Sequence, residues 1–323
     1  MTITVRAFAG GDESALLDGW NRSLPADPTT AGWLRDCVLL DPNFDPAGLR
    51  VAVLAGQVVG ACYAVRRLTP LAGTDLDPET GWIPFFFVAP EHRRGGLGRR
   101  LLGEALDFLR GEGRTQVDFA SYTPNYVLPG IDPEAYPDGH RLLTGLGFTT
   151  LYSPVAMDRG LVGYVTPDEV RELRAGRAGD GYDFRSPRDG ELPELIRFAA
   201  DVFNPDWGEA LRNAVLGGIP RERILIARRD GIVGFAMYGA YRGVPERFGP
   251  FGVDPAERGT GLGKILLHAT MTRMRAEGLH SSWFLWTGET SPAGHLYTRA
   301  GYAITRRFHV MRWRADEHGE TTG

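Results

Sequence analysis

Two stretches of the chain set arginines and glycines at a spacing suited to gripping a polyanion. The first runs Val88-Ala89-Pro90-Glu91-His92-Arg93-Arg94-Gly95-Gly96-Leu97-Gly98 and continues into Arg99. The second, 165 positions later, runs Val253-Asp254-Pro255-Ala256-Glu257-Arg258-Gly259-Thr260-Gly261-Leu262-Gly263 and continues into Lys264, the sole lysine among 36 basic residues. In each, an apolar run ends at the valine, an Arg-containing turn follows, and a helical pattern begins at Leu97 or Leu262. Gly96 and Gly98, like Gly261 and Gly263, remove side chains so that a polyanion can approach backbone N–H groups. The helix start adds unpaired donors and about half a positive charge. Arg93 and Arg94, or Arg258 and Lys264, surround it with full charges.

Three ligands suit such a cradle. A dinucleotide fold requires G-x-G-x-x-G, but the third position is Leu101 or Leu266. A nucleotide P-loop requires G-x-x-x-x-G-K-[ST]; Gly263-Lys264 matches its end, yet Arg258 replaces the first glycine and Ile265 the magnesium-binding hydroxyl. The pyrophosphate of coenzyme A is the third candidate.

The elements around the two cradles repeat as well. Upstream lie alternating strand pairs joined by tight glycine turns, Leu49–Leu54 with Val58–Val65 and Ile224–Ala227 with Ile232–Tyr238. Apolar strands follow, Trp82–Val88 and Phe248–Val253. Leu97, Leu101, Leu102, Ala105, Leu106 and Leu109 fall at helical spacing, as do Leu262, Ile265, Leu266, Ala269 and Met274, with Gly111 and Gly278 as stops. Further strands at 116–120 and 282–286 lead to short helices ending in Gly147-Phe148 and Gly301-Tyr302. Such alternation implies an α/β sheet with helices on both faces. The N-terminal half is longer: 49 positions separate Gly98 from Gly147, against 38 from Gly263 to Gly301. The extra length falls at Asn125–His140, in a loop, where function is readily altered.

R/Q-x-x-G-x-G/A after a V-x-P strand resembles the acyl-CoA motif of the GNAT superfamily of N-acyltransferases. Both halves match, as Arg93-x-x-Gly96-x-Gly98 and Arg258-x-x-Gly261-x-Gly263, and the element order matches over nearly the whole chain. The resemblance implies two tandem α/β domains, each a mixed, mostly antiparallel, splayed sheet with helices on both faces. We expect a first domain at 1–160, a linker with a short helix at 161–180, and a second domain at 181–323. It implies acetyl-CoA as co-substrate, held by Val88, Arg93, Arg94, Gly95, Gly96, Leu97, Gly98 and Arg99, and by Val253, Arg258, Gly259, Thr260, Gly261, Leu262, Gly263 and Lys264. It also implies direct attack by an amine and a tyrosine acid four residues before the final Gly-Phe/Tyr. That residue is Tyr297; a phenol with pKa about 10 can protonate a departing thiolate whose acid has pKa near 8.5. In the first half the position holds Leu143, so that half either binds without turnover or draws its acid from Tyr126 or Tyr136 in the longer loop. The tandem form is similar to mycothiol synthase, which implies catalysis in the C-terminal domain. Glu246, just before the second motif strand, is the candidate base.

Weaker features have ordinary readings beside the functional one. His295 precedes Tyr297 by two residues, about 200° away around a helix, which separates their roles. Trp20, Trp33, Phe203 and Trp207 suit either a core or an acceptor pocket. Asp201 and Asp206 suit either a solvated face or attraction of a cationic amine. Cys37 and Cys62 lack neighbouring metal-type ligands, and no histidine pair has zinc spacing, so no metal and a cytoplasmic location are expected. A net charge of −4 argues against nucleic acid, and no apolar run approaches the ~18 residues of a membrane span. The partner expected is a small-molecule or peptide amine, with the chain a monomer or homodimer. The alternative is an acyl-CoA-binding sensor with little turnover.

Overall fold

The structure, a computed structural model, describes residues 2–315. The chain runs β1 (Thr4–Ala7), α1 (Glu13–Ser23), α2 (Ala31–Leu34), β2 (Leu49–Leu54), β3 (Gln57–Val65), β4 (Thr80–Val88), α3 (Leu97–Gly111), β5 (Gln116–Phe119), α4 (Pro137–Thr144) and β6 (Thr149–Tyr152). It continues through β7 (Val155–Gly160), α5 (Asp168–Gly179), β8 (Asp183–Arg185), α6 (Leu192–Val202), α7 (Pro205–Leu216), β9 (Ile224–Arg228), β10 (Ile232–Tyr238) and β11 (Phe248–Val253). The last elements are α8 (Leu262–Ala276), β12 (Ser281–Thr287), α9 (Pro292–Arg299), β13 (Ala303–Arg307) and β14 (Val310–Arg314).

Two compact units result among the described residues: 2–70, 74–154 and 307–315 form one, and residues 155–306 with Leu71–Gly73 form the other. The first contains a seven-stranded sheet in the order β1-β2-β3-β4-β5-β14-β6. Only β4 and β5 are parallel within it. Along β4, Trp82, Phe85 and Phe87 enter the core under α1 and α2, and Ile83 and Phe86 the core under α3 and α4, the alternation being offset by a bulge between Trp82 and Phe85. Helix α3 buries the leucine stripe Leu97, Leu101, Leu102, Leu106 and Leu109 against that second face. The second unit repeats the plan with β11-β10-β9-β8 and β12-β7-β13, covered by α8 on one side and by α6 and α7 on the other.

The units differ from the expected boundaries in two places. Strand β14, from the far end of the chain, belongs to the first unit, because β5 and β6 both pair with it rather than with each other. Arg312 closes that join with bonds of 2.6 and 2.7 Å to Asp118, while Met311 and Trp313 enter the core. Residues 161–180, expected as a linker, lie inside the second unit, where Leu161, Tyr164 and Val170 are buried. Among the described residues no helix is long and apolar enough to cross a membrane.

Candidate active site

In the first unit β4 and β5 pair from Thr80↔Gln116 to Ile83↔Phe119 and then part. Pro84, with no N–H to donate, stands where pairing stops. A last bond joins the Ala120 N–H to the Ile83 carbonyl at 2.9 Å, and Ala120 takes a φ of 67°, turning the chain away. The free half of β4, Pro84–Val88, therefore borders an open crevice. A cavity of about 860 Å³ fills it and runs from the Arg93–Arg99 loop past Phe86 and Phe119 to Trp20 and Asp27. The long segment after β5 supplies the far wall through Val127, Leu128, Ile131 and Tyr136. Its position is set by two main-chain bonds between Ile131 and His309, at 2.9 and 2.7 Å.

The loop at the mouth is built as a cradle. Gly96 caps α3 at φ 82°, a conformation costly for any side chain, and a Cβ placed on Gly95 or Gly96 would meet nothing within 4 Å. Gly98 serves packing instead, since a Cβ there would lie 2.9 Å from Leu142. Arg93 braces the loop: its Nε donates to the Val88 carbonyl at 3.0 Å and its guanidinium to the Ser23 carbonyl at 2.9 Å. Arg94 and Arg99 are exposed. The first-turn N–H groups of α3, these glycines and these cations suit a pyrophosphate.

The second unit has the same splay in shorter form. Strands β11 and β12 meet through one parallel bridge, Arg247↔Trp283, next to a 3.0 Å bond from the Trp283 N–H to the Glu246 carbonyl. Glu246 is half-buried at this closed end, and Val253 is half-buried at the other end of β11. Gly259 and Gly261 hold φ values of 80° and 83°. Here α5 leans on the loop. A Cβ on Gly261 would lie 2.7 Å from Leu173, Arg177 Nε donates to the Thr260 carbonyl at 2.8 Å, and Lys264 pairs with Glu169 at 3.2 Å. Arg258 is exposed.

Tyr297, on α9, is 6% exposed and sits among Phe248, Phe251, Phe284 and Tyr302, closest to Phe284 at 4.4 Å between ring centroids. Burial, helped by Tyr302, pushes its phenol well above the ordinary tyrosine range, so it keeps its proton. Leu143 occupies the matching place on α4, fully buried. Trp20 is 1% exposed and packs on Phe85 at 4.6 Å, so it is both core and cleft wall. Phe203 and Trp207 stack at 5.1 Å over the α6–α7 core, and Asp201 is exposed. Among the described residues no group of three or more metal-type ligands occurs.

One feature of the cleft has no signal in sequence spacing: the Tyr136 hydroxyl donates to Asp27 Oδ2 at 2.6 Å, across 109 positions. Tyr136 stands out only by lying in the longer loop, and Asp27 by nothing more than a Pro-flanked turn.

Comparison with known proteins is consistent across both halves. Residues 17–126 match the acetyltransferase (GNAT) family and residues 220–304 match an acetyltransferase (GNAT) domain. Mycothiol acetyltransferase of Thermobispora bispora is 27% identical over 321 residues, 95% of each chain. Streptothricin acetyltransferase of Streptomyces lavendulae is 31% identical over 150 residues, 45% of this chain and 74% of that one. A tandem GNAT protein from the clavulanic acid biosynthesis pathway superposes with a TM-score of 0.66 at 16% identity, covering 97% of this chain and 99% of that one.

Proposed function

The chain belongs to the GNAT family of acetyltransferases, and from that premise we propose that it moves acetyl from acetyl-CoA to a primary amine by direct attack, in the cleft of the first unit. The observation that carries this reading is the continuity of one cavity from an anion-binding loop to the unpaired half of β4. Pyrophosphate would lie on the Gly95–Arg99 amides beside Arg94 and Arg99. The pantetheine arm would run along Pro84–Val88, whose main chain has no partner on the β5 side. When bound, acetyl-CoA supplies the activated thioester; the protein orients it and excludes water with Phe86, Phe119 and Ile131. Relatives named for mycothiol and for streptothricin differ in acceptor, so the acceptor has to be argued from this cleft.

A second reading places turnover in the second unit, with Tyr297 as the acid and Glu246 near the amine. It is favoured by Tyr297, a buried phenol that holds its proton beside β11, where the first unit has Leu143. Comparing Tyr297→Phe with the unaltered enzyme separates the two. Catalysis in the first unit keeps kcat within about threefold, whereas loss of a general acid removes about 10²-fold or more.

A further inference from the structure

The cleft of the first unit is lined by charges of both signs, with Arg22 and Arg141 among the cations. Arg93, Arg94 and Arg99 mark the loop end, beyond Val88. Two carboxylates border the cavity, Asp138 and Asp27. Asp138 is ion-paired to Arg141 on the same helix. Asp27 stands elsewhere: its carbonyl accepts the Trp20 indole N–H at 2.8 Å, and Trp20 packs on Phe85, within the splayed half of β4. The turn that carries Asp27 is tied back to α1 by reciprocal bonds between Asn21 and Thr29, at 2.7 and 3.0 Å. Tyr136 holds the carboxylate from the opposite wall at 2.6 Å. Tyr136 is itself fixed by a buried Asp132, whose carboxylate accepts the Glu134 and Ala135 N–H groups and whose carbonyl accepts that of Tyr136.

Resting on the reading that acetyl-CoA enters this cleft, we propose that Asp27, positioned by Tyr136, recognises the acceptor, and that the acceptor is a cationic primary amine on a flat apolar body. A carboxylate offers about four acceptor positions, of which the phenol takes one, so it is suited to several N–H donors at once. Tyr136 and Phe86, half-buried on the cavity wall, offer ring surface to an apolar substituent and to the cation beside it, with Trp20 and Phe85 behind them in the core. The same carboxylate assists the reaction. The bound ammonium first loses a proton to solvent, which frees its lone pair. As the N–C bond then forms and the C–S bond breaks, positive charge redevelops on nitrogen, which loses a second proton to solvent while the sulfur leaves as thiolate and takes a proton from solvent. An anion beside that nitrogen stabilises the charge in the transition state.

The test measures initial rates of acetyl-CoA consumption with 2-phenylethylamine as the probe, alongside calorimetric binding of coenzyme A. Asp27→Asn is expected to raise the KM for the amine about tenfold or more and to leave coenzyme A affinity within about twofold, with Asp27→Glu restoring part of the loss. Tyr136→Phe is expected to lower kcat/KM for the amine about three- to tenfold, again with coenzyme A binding intact. An unchanged KM in Asp27→Asn overturns the proposal. So does wild-type protein that binds coenzyme A and leaves the probe unacetylated. Failure to bind coenzyme A at all overturns the acetyl-CoA reading on which the proposal stands.

Discussion

Arg93 is the residue at which sequence and structure give different accounts of the same charge. Its spacing marks it as a phosphate partner, yet its guanidinium bonds two main-chain carbonyls, of Val88 and Ser23. It braces the loop, and the exposed Arg94 and Arg99 are the cations proposed to face the anion. Arg93→Lys keeps the charge but loses the two-pronged brace, so coenzyme A affinity should fall about tenfold by calorimetry. Retention of full affinity would show that charge alone matters at this position. The glycine cradle was legible because positive φ at Gly96 and Gly261 demands that residue type. The Asp27–Tyr136 contact was not legible, since it joins segments whose proximity depends on the whole sheet.

The hairpins, motif strands and paired helices follow from local patterning, because alternation and 3.6-residue periodicity are properties of neighbouring residues. Helix α8 also carries a buried histidine that patterning cannot interpret. His268 is 5% exposed, with Nδ1 2.7 Å from the Tyr164 hydroxyl. Burial, followed by Arg159 and Lys264, lowers its pKa from 6.5 to about 4. The unfolded chain therefore takes up a proton that the folded unit refuses. Stability is full above pH 6.5 and declines as pH falls toward 4, by on the order of 3 kcal/mol. Urea midpoints at pH 7 and pH 4.5 should differ more for wild type than for His268→Gln; equal differences would place the histidine outside the acid sensitivity. In the first unit, Gly130 lies under the strand-like contact of the long loop, and a Cβ there would be 2.3 Å from the His309 carbonyl. Gly130→Ala should displace the cleft wall and weaken coenzyme A binding while second-unit elements persist. Hydrogen exchange of Ile131 and His309 monitors this directly; unchanged protection would contradict it.

At the scale of the molecule, the duplication was readable from the 165-residue offset, but the ownership of β14 was not. A strand's partner is set by which gap in a sheet needs filling, and β5 and β6 leave such a gap. A chain ending at Arg306 should therefore lose cooperative unfolding of the first unit and its coenzyme A binding, although residues 155–306 remain. Persistence of both would show that β14 is dispensable. The central claim is that acetyl-CoA occupies the first unit's cleft, and calorimetric titration of wild type and Gly96→Val with acetyl-CoA tests it most directly. The account predicts saturable binding to wild type and loss of one equivalent in the folded variant. Absence of binding to wild type, or unchanged stoichiometry and affinity in Gly96→Val, would contradict it.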